Sequence, residues 1–166
     1  MNYQNIVNSG QHSTIEDLDT DVLLELIQRG YDVGHLQQLP KLHRLARKIE
    51  AVHRANPEVP KGITLAIKKL EYMLADHIER ENAYVLKHME HDQPPNPHTP
   101  IAQMNEEHSY LRQQLRKLRR MTRNYRVPDS ACRSWQRFYR ELKTLDFSLS
   151  EQIYLEREVL FPRFQF

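Results

Sequence analysis

The chain has 166 residues, 28% of them charged, with a formal net charge of +2, four glycines and one cysteine. That length suits one domain able to bury roughly two-thirds of its unfolded surface without cross-links. The lone Cys132 excludes an internal disulfide framework, no apolar run approaches the ~18 residues of a membrane span, and so small a charge does not argue for nucleic acid.

Few glycines, abundant long helix formers and no alternating Val/Ile/Thr runs predict an all-α protein. With no charged-then-apolar leader at its start, the chain is expected to be cytoplasmic. Residues 1–17 read as a flexible N-terminal segment and 18–166 as one helical domain. The first helix is predicted from the acceptable N-caps Asp19 and Thr20 to about His53, with a kink or short interruption at Gly30, Gly34 and Pro40. Asn56-Pro57-Glu58-Val59-Pro60 breaks the chain before a second helix, about Lys61 to His88. The segment His91–Pro100 carries four prolines and cannot be helical. A third helix runs from Ile101 to about Arg123, and Val127-Pro128-Asp129 introduces a fourth that ends near Pro162.

Each helix carries an apolar stripe at three-four spacing. The first reads Leu24, Ile27, Tyr31, His35, Leu42, Leu45, Ile49, Val52; the third reads Ile101, Met104, His108, Leu111, Leu115, Leu118, Met121. Four such helices predict an up-down-up-down antiparallel four-helix bundle. Polar residues interrupt the stripes at His77, Glu81, His108, Gln152 and Glu156. An unpaired buried carboxylate costs several kcal/mol, so a glutamate on such a face needs a partner of opposite charge or a metal. His77-x-x-x-Glu81 and Gln152-x-x-x-Glu156 each place two side chains one turn apart on one face, and His108 adds a third helix. Along the bundle the second and third helices agree in level within ~5 Å, while the fourth is offset by ~10 Å, which the connection around Asn124–Trp135 must absorb. In the first helix His35 sits near the stripe centre and Asp32 about 100° from it, and the Gly30/Gly34 pair can rotate either one inward. Two readings are open: a metal-free buried hydrogen-bond network, or a site of imidazoles and carboxylates suited to iron, manganese or zinc.

The residues resemble the hemerythrin-like di-iron domain of the bacterial iron–sulfur cluster repair and nitric-oxide-response proteins. The likeness runs from about Leu24 to Pro162. It rests on Gln38-Leu39-Pro40, Val52-His53, Val59-Pro60-Lys61-Gly62, His77-x-x-x-Glu81, Glu107-His108, Ala131-Cys132-x-x-Trp135, Leu155-Glu156 and Val159-Leu160-Phe161-Pro162. The resemblance implies non-haem iron as two ions, terminal ligands His77 and His108, bridging carboxylates Glu81 and Glu156, and nitric oxide or dioxygen as the small ligand. Two positions depart from that pattern: Asp32 and Gln152 stand where the family has histidines. Asp32 is then a replacement ligand, with His35 and Gln152 as further candidates, or Asp32 and Gln152 bond to each other. The competing reading is a bundle that has lost its metal and serves as a regulatory or protein-interaction module.

Arg112, Arg116, Lys117, Arg119, Arg120 and Arg123 make one side of the third helix basic, a solvated face or a dock for an acidic protein partner or, with no stacking aromatics or recognised motif beside it, less readily nucleic acid. Glu107 reads equally as surface or as lining a route for protons or ions. Tyr31 and Tyr84 flank candidate ligands and are expected mainly to pack, and His53 is expected to end a helix or line an interface.

Overall fold

The computed structural model describes residues 14–90 and 100–164. The expected loose start therefore lies outside the described residues up to residue 13, as do 91–99 of the proline-rich connection. Residues Ile15–Asp17 form a single 3-10 turn in which Thr14 and Asp17 make a capping box. Helix α1 (Thr20–Glu25) runs through a π-helical stretch, Leu26–Asp32, into α2 (Val33–Val52), so the first predicted helix is one rod in three pieces. Helices α3 (Ile63–Glu90), α4 (Pro100–Met121) and α5 (Arg133–Leu155) come next, and the last continues through a π-helical stretch, Glu156–Leu160, and a 3-10 turn, Phe161–Phe164.

The four rods form the antiparallel bundle that the stripes predict: α2 packs on α3, α3 on α4, and α5 closes against α2. The α4–α5 seam is the most open of the four. The interruption expected near Gly30 takes the form of the π-helical stretch. Pro40 does not break α2, because the carbonyl it deprives of a partner belongs to the exposed Leu36 turn, where water can serve. Val52, placed on the core stripe by spacing, is 67% exposed: the helix ends at the next residue and its last turn overhangs the core. Among the described residues no helix is long and apolar enough to cross a membrane.

Two apolar clusters fill the bundle. One joins Leu39, Ile49, Ile67, Leu70, Leu115 and Trp135 with their neighbours; the other joins Leu23, Ile27, Tyr84, Met104, Leu160 and Phe161. On every rod the polar interruptions fall between them, which puts a polar layer in the bundle's middle, sealed from water at both ends.

The connection 122–132 resolves the offset between the third and fourth helices. Arg123, Asn124 and Tyr125 all have positive φ, a left-handed turn that costs roughly 1–2 kcal/mol per residue. It is held by a buried cluster in which the Tyr125 hydroxyl donates to Asp146 at 2.6 Å and the Arg119 guanidinium forks onto the same carboxylate at 2.5 and 2.6 Å. The turn lets α5 start beyond the end of α4, so that Glu156, about 34 Å along the fourth rod, meets His108, about 20 Å back from the end of the third.

Gly62, with φ 81°, starts α3, and its N–H donates to the Glu50 carboxylate, which also accepts from the Thr64 N–H at 3.0 Å. Burial alone would push the Glu50 carboxyl up, but the Thr64 side chain and the backbone N–H groups of Thr64, Gly62 and Ile63 together outweigh it and hold it below the usual range. A depressed folded-state value contributes stability that is present above the unfolded value, about 4.3, and is lost as pH falls through the folded one. Glu50→Gln is therefore expected to lower the urea midpoint at neutral pH and to match the wild type near pH 3.

Candidate metal centre

Seven side chains that the sequence singles out meet in the polar layer: Asp32, His35, His77, Glu81, His108, Gln152 and Glu156 are all buried. The two π-helical stretches end or begin at two of them, Asp32 and Glu156. A π-turn takes up one more residue than an α-turn and so rotates the helix beyond it. That rotation settles the ambiguity at the first rod, for Asp32 and His35 both face inward.

The layer has two halves. In one, His77 Nε2 and His108 Nε2 face each other at 2.9 Å, and Glu156 Oε2 lies 2.8 Å from the latter and 3.5 Å from the former. The three ligand atoms lie within 4.8 Å of one another. Adjacent ligands on an ion with bonds of about 2.1 Å stand roughly 3 Å apart, so the spacing suits a shared cation. Glu156 Oε2 has no well-directed hydrogen bond, and neither does the buried Glu81 Oε2, 3.7 Å from His77 Nε2. Two imidazole nitrogens and a carboxylate oxygen pointing at one spot, beside an orphaned carboxylate oxygen, are donor atoms arranged for a metal rather than for each other.

His77 is oriented from behind. Its Nδ1 bonds Glu107 at 3.0 Å, and Arg80 Nε donates to the other oxygen of that carboxylate at 2.8 Å. A carboxylate on Nδ1 keeps the proton there and turns the Nε2 lone pair inward, the usual outer support of a metal-bound histidine. Burial would raise the Glu107 carboxyl, but His77 and Arg80 outweigh it and keep it ionised. The His108 ring lies parallel to Phe161 at 5.3 Å, which fixes its plane.

The other half is closed by hydrogen bonds. Gln152 Nε2 donates to Asp32 Oδ1 at 2.7 Å and to Glu156 Oε1 at 2.6 Å. Its Oε1 meets His35 Nδ1 at 2.8 Å, and His35 Nε2 meets the Ser148 hydroxyl at 2.8 Å. Both His35 nitrogens are thus occupied, and the Gln152 amide faces two carboxylates.

The electrostatics ask for positive charge. Burial, then the Glu156 charge, raises the Asp32 carboxyl to about 7. Burial, then Glu156 and Asp32, raises Glu81 well above the carboxylate range. Burial opposes ionisation of Glu156 as well, but the adjoining His108 and His77 outweigh it and hold that carboxyl low. Among the described residues no Lys or Arg pairs with any of the three.

The family model described as the hemerythrin HHE cation binding domain matches residues 33–164. The chain belongs to that hemerythrin family. It is also similar to the iron-sulfur cluster repair proteins YtfE of Yersinia pseudotuberculosis serotype IB (strain PB1/+) and Yersinia pestis (strain Pestoides F). Each is 31% identical over 144 residues, which cover 87% of this chain and 65% of the relative. The chain thus spans somewhat less than two-thirds of the length of the curated relatives it matches. The hemerythrin family is a cation-binding one, and this chain's His/Glu cluster has the donors for an ion.

Sequence reasoning missed Arg80, Ser148 and the ring of Phe161, and it left Glu107 evenly balanced. Ser148 lies one turn before Gln152 on the same face, a small polar residue inside a stripe, which was a usable signal. The Arg80–Glu107 pair joins two helices and leaves no trace in either stripe. Removing the Gln152 amide leaves His35, Asp32 and Glu156 each short of a partner. Gln152→Ala is expected to cost about 2 kcal/mol in the metal-free protein, read by urea unfolding, while Gln136→Ala on the exposed side of α5 costs under about 1.

Proposed function

We propose that this chain is a non-haem iron protein whose bundle holds two ions in the polar layer and acts in iron–sulfur cluster repair under nitric-oxide and oxidative stress in the cytoplasm. The observation that carries the metal is the convergence of His77 Nε2, His108 Nε2 and Glu156 Oε2, beside the unpartnered Glu81 oxygen. In this reading His77, His108, Glu81 and Glu156 would hold the ions, and Asp32 would serve as the replacement ligand where the family has a histidine. The three carboxylates, once ionised, offset most of the charge of two divalent cations, and mixed imidazole and carboxylate donors suit iron. The repair role is taken from the name of the similar proteins, of which this chain spans 65%.

Bound iron would supply electron exchange and affinity for a diatomic ligand such as nitric oxide or dioxygen. The residues around it do the rest. Glu107 holds the His77 proton on Nδ1, Gln152 fixes one oxygen each of Asp32 and Glu156, and His35 with Ser148 holds Gln152. The two apolar clusters keep bulk water from the layer.

One observation favours a second reading. The chain Ser148–His35–Gln152–Asp32 satisfies itself without an ion, as a site on its way to losing metal would. A bundle of that kind would serve as an interaction module, with the basic side of α4 as its contact surface.

Replacing Glu81 or Glu156 by leucine separates the two. Both variants are expected to keep their far-ultraviolet circular dichroism and to lose stoichiometric iron, measured by plasma mass spectrometry after expression in iron-replete cells. Manganese or zinc in place of iron would revise the metal, and metal content equal to the wild type in both variants would sink the assignment.

A further inference from the structure

On the outside of the bundle, the open seam between α4 and α5 forms a groove of about 360 Å³. Four arginines line it: Arg112, Arg116 and Arg119 from α4, and Arg157 from the π-helical end of the fourth rod. Against these stand two acidic groups. Asp146 is committed to Arg119 and the Tyr125 hydroxyl, and the half-exposed Glu158 lies 3.7 Å from Arg157. Among the described residues Arg112 and Arg116 have no carboxylate within 4.0 Å. Arg119 uses Nε and Nη2 on Asp146 and Ser150, which leaves Nη1 for a ligand.

Arginines gathered in a concave place repel one another, and water screens that repulsion less there than on an open face. A solvated helix face keeps its like charges spread out; this arrangement turns charges from two rods toward a common volume. The floor is apolar, from the buried Leu115 and Ile153, and the half-exposed ring of Tyr154 stands at the rim. Guanidinium forks match phosphate oxygens two at a time, an apolar floor with an exposed ring suits a flat organic group, and the volume is that of a small-molecule pocket. We propose that the α4–α5 groove is a binding site for a multivalent phosphate carried on a small organic body, a nucleoside diphosphate being the class that fits. Arg112 and Arg116 take the phosphates, Arg119 Nη1 and Arg157 flank them, and Tyr154 packs on the ring.

A second, more open concavity lies across Arg116, between α3 and α4, with Lys69, Lys117, Arg120 and Tyr110. It lacks the buried apolar floor, so the α4–α5 groove is the better small-ligand site. A long polyanion lying over both would be the rival occupant.

The proposal stands apart from the metal reading, and its test does too. Pyrophosphate and ADP are titrated by calorimetry into the whole protein, with bound metal measured before and after each run. Both are expected to bind, ADP the more tightly. Arg112→Gln/Arg116→Gln should weaken both by about tenfold or more, as loss of charge-assisted bonds implies, with metal content and circular dichroism unchanged. Arg44→Gln/Arg47→Gln, the same charge change on the exposed side of α2, should leave both affinities within about twofold. Three results overturn the proposal: no binding to the wild type at roughly millimolar probe, equal weakening in the two double variants, or groove-dependent binding of a single-stranded oligonucleotide without binding of either small probe.

Discussion

Three carboxylates, Asp32, Glu81 and Glu156, meet in the dry middle of this bundle, and no lysine or arginine among the described residues comes to meet them. Everything else in the architecture turns on how that charge is tolerated. An ionised carboxylate in a low-dielectric interior costs several kcal/mol unless it is paired, so such a layer persists only with protons, histidines or metal ions as partners. Protons hold part of the balance, since Asp32 is raised to about 7 and Glu81 well above the usual range. The histidines account for Glu156. The oxygen of Glu81 that faces His77 is left over, and a cation is the partner of the right sign and size.

Metal affinity and fold stability pull in opposite directions here. A layer of apolar residues at these positions would join the two cores and stabilise the bundle, as replacing buried ion pairs by well-packed apolar groups often does. The polar layer is instead built with care from outside: Glu107 and Arg80 behind His77, Phe161 against His108, His35 and Ser148 behind Gln152. Both π-helical stretches lie at this level, where a gain in side-chain direction offsets a poorer run of backbone hydrogen bonds. Gln152 sits where both halves join. Because its amide donates to Asp32 and Glu156 alike, it keeps the two carboxyl groups side by side.

The four rods, their direction and the inward set of His77, Glu81, His108, Gln152 and Glu156 were legible in the sequence because periodicity reports directly on burial, and an acid on an apolar stripe is a conspicuous exception. The first rod was less legible. Period 3.6 puts Asp32 far from the stripe, and only the change of winding over Leu26–Asp32, which no residue pattern announces, brings it in with His35. Val52 shows the same limit at a helix end, where the right phase is no guarantee that anything lies opposite. The level of the fourth helix depended on three left-handed residues, Arg123 to Tyr125, none of them glycine, held there by Arg119 one turn earlier and by Asp146 from the next rod. Contacts between side chains on different rods, such as Glu107 with His77, are set by packing and stay silent in a single sequence.

The most direct test of the buried-charge account is the unfolding midpoint of protein stripped by a strong chelator, then titrated anaerobically with ferrous ion. If the three carboxylates need a cation, the midpoint rises with iron and saturates at about two ions per chain, with a gain near 2.7 kcal/mol for each site once free iron reaches about a hundred times that site's dissociation constant. A midpoint that stays the same with chelator, without it and with added iron would mean that protons and hydrogen bonds alone hold the layer, and the metal assignment would fall.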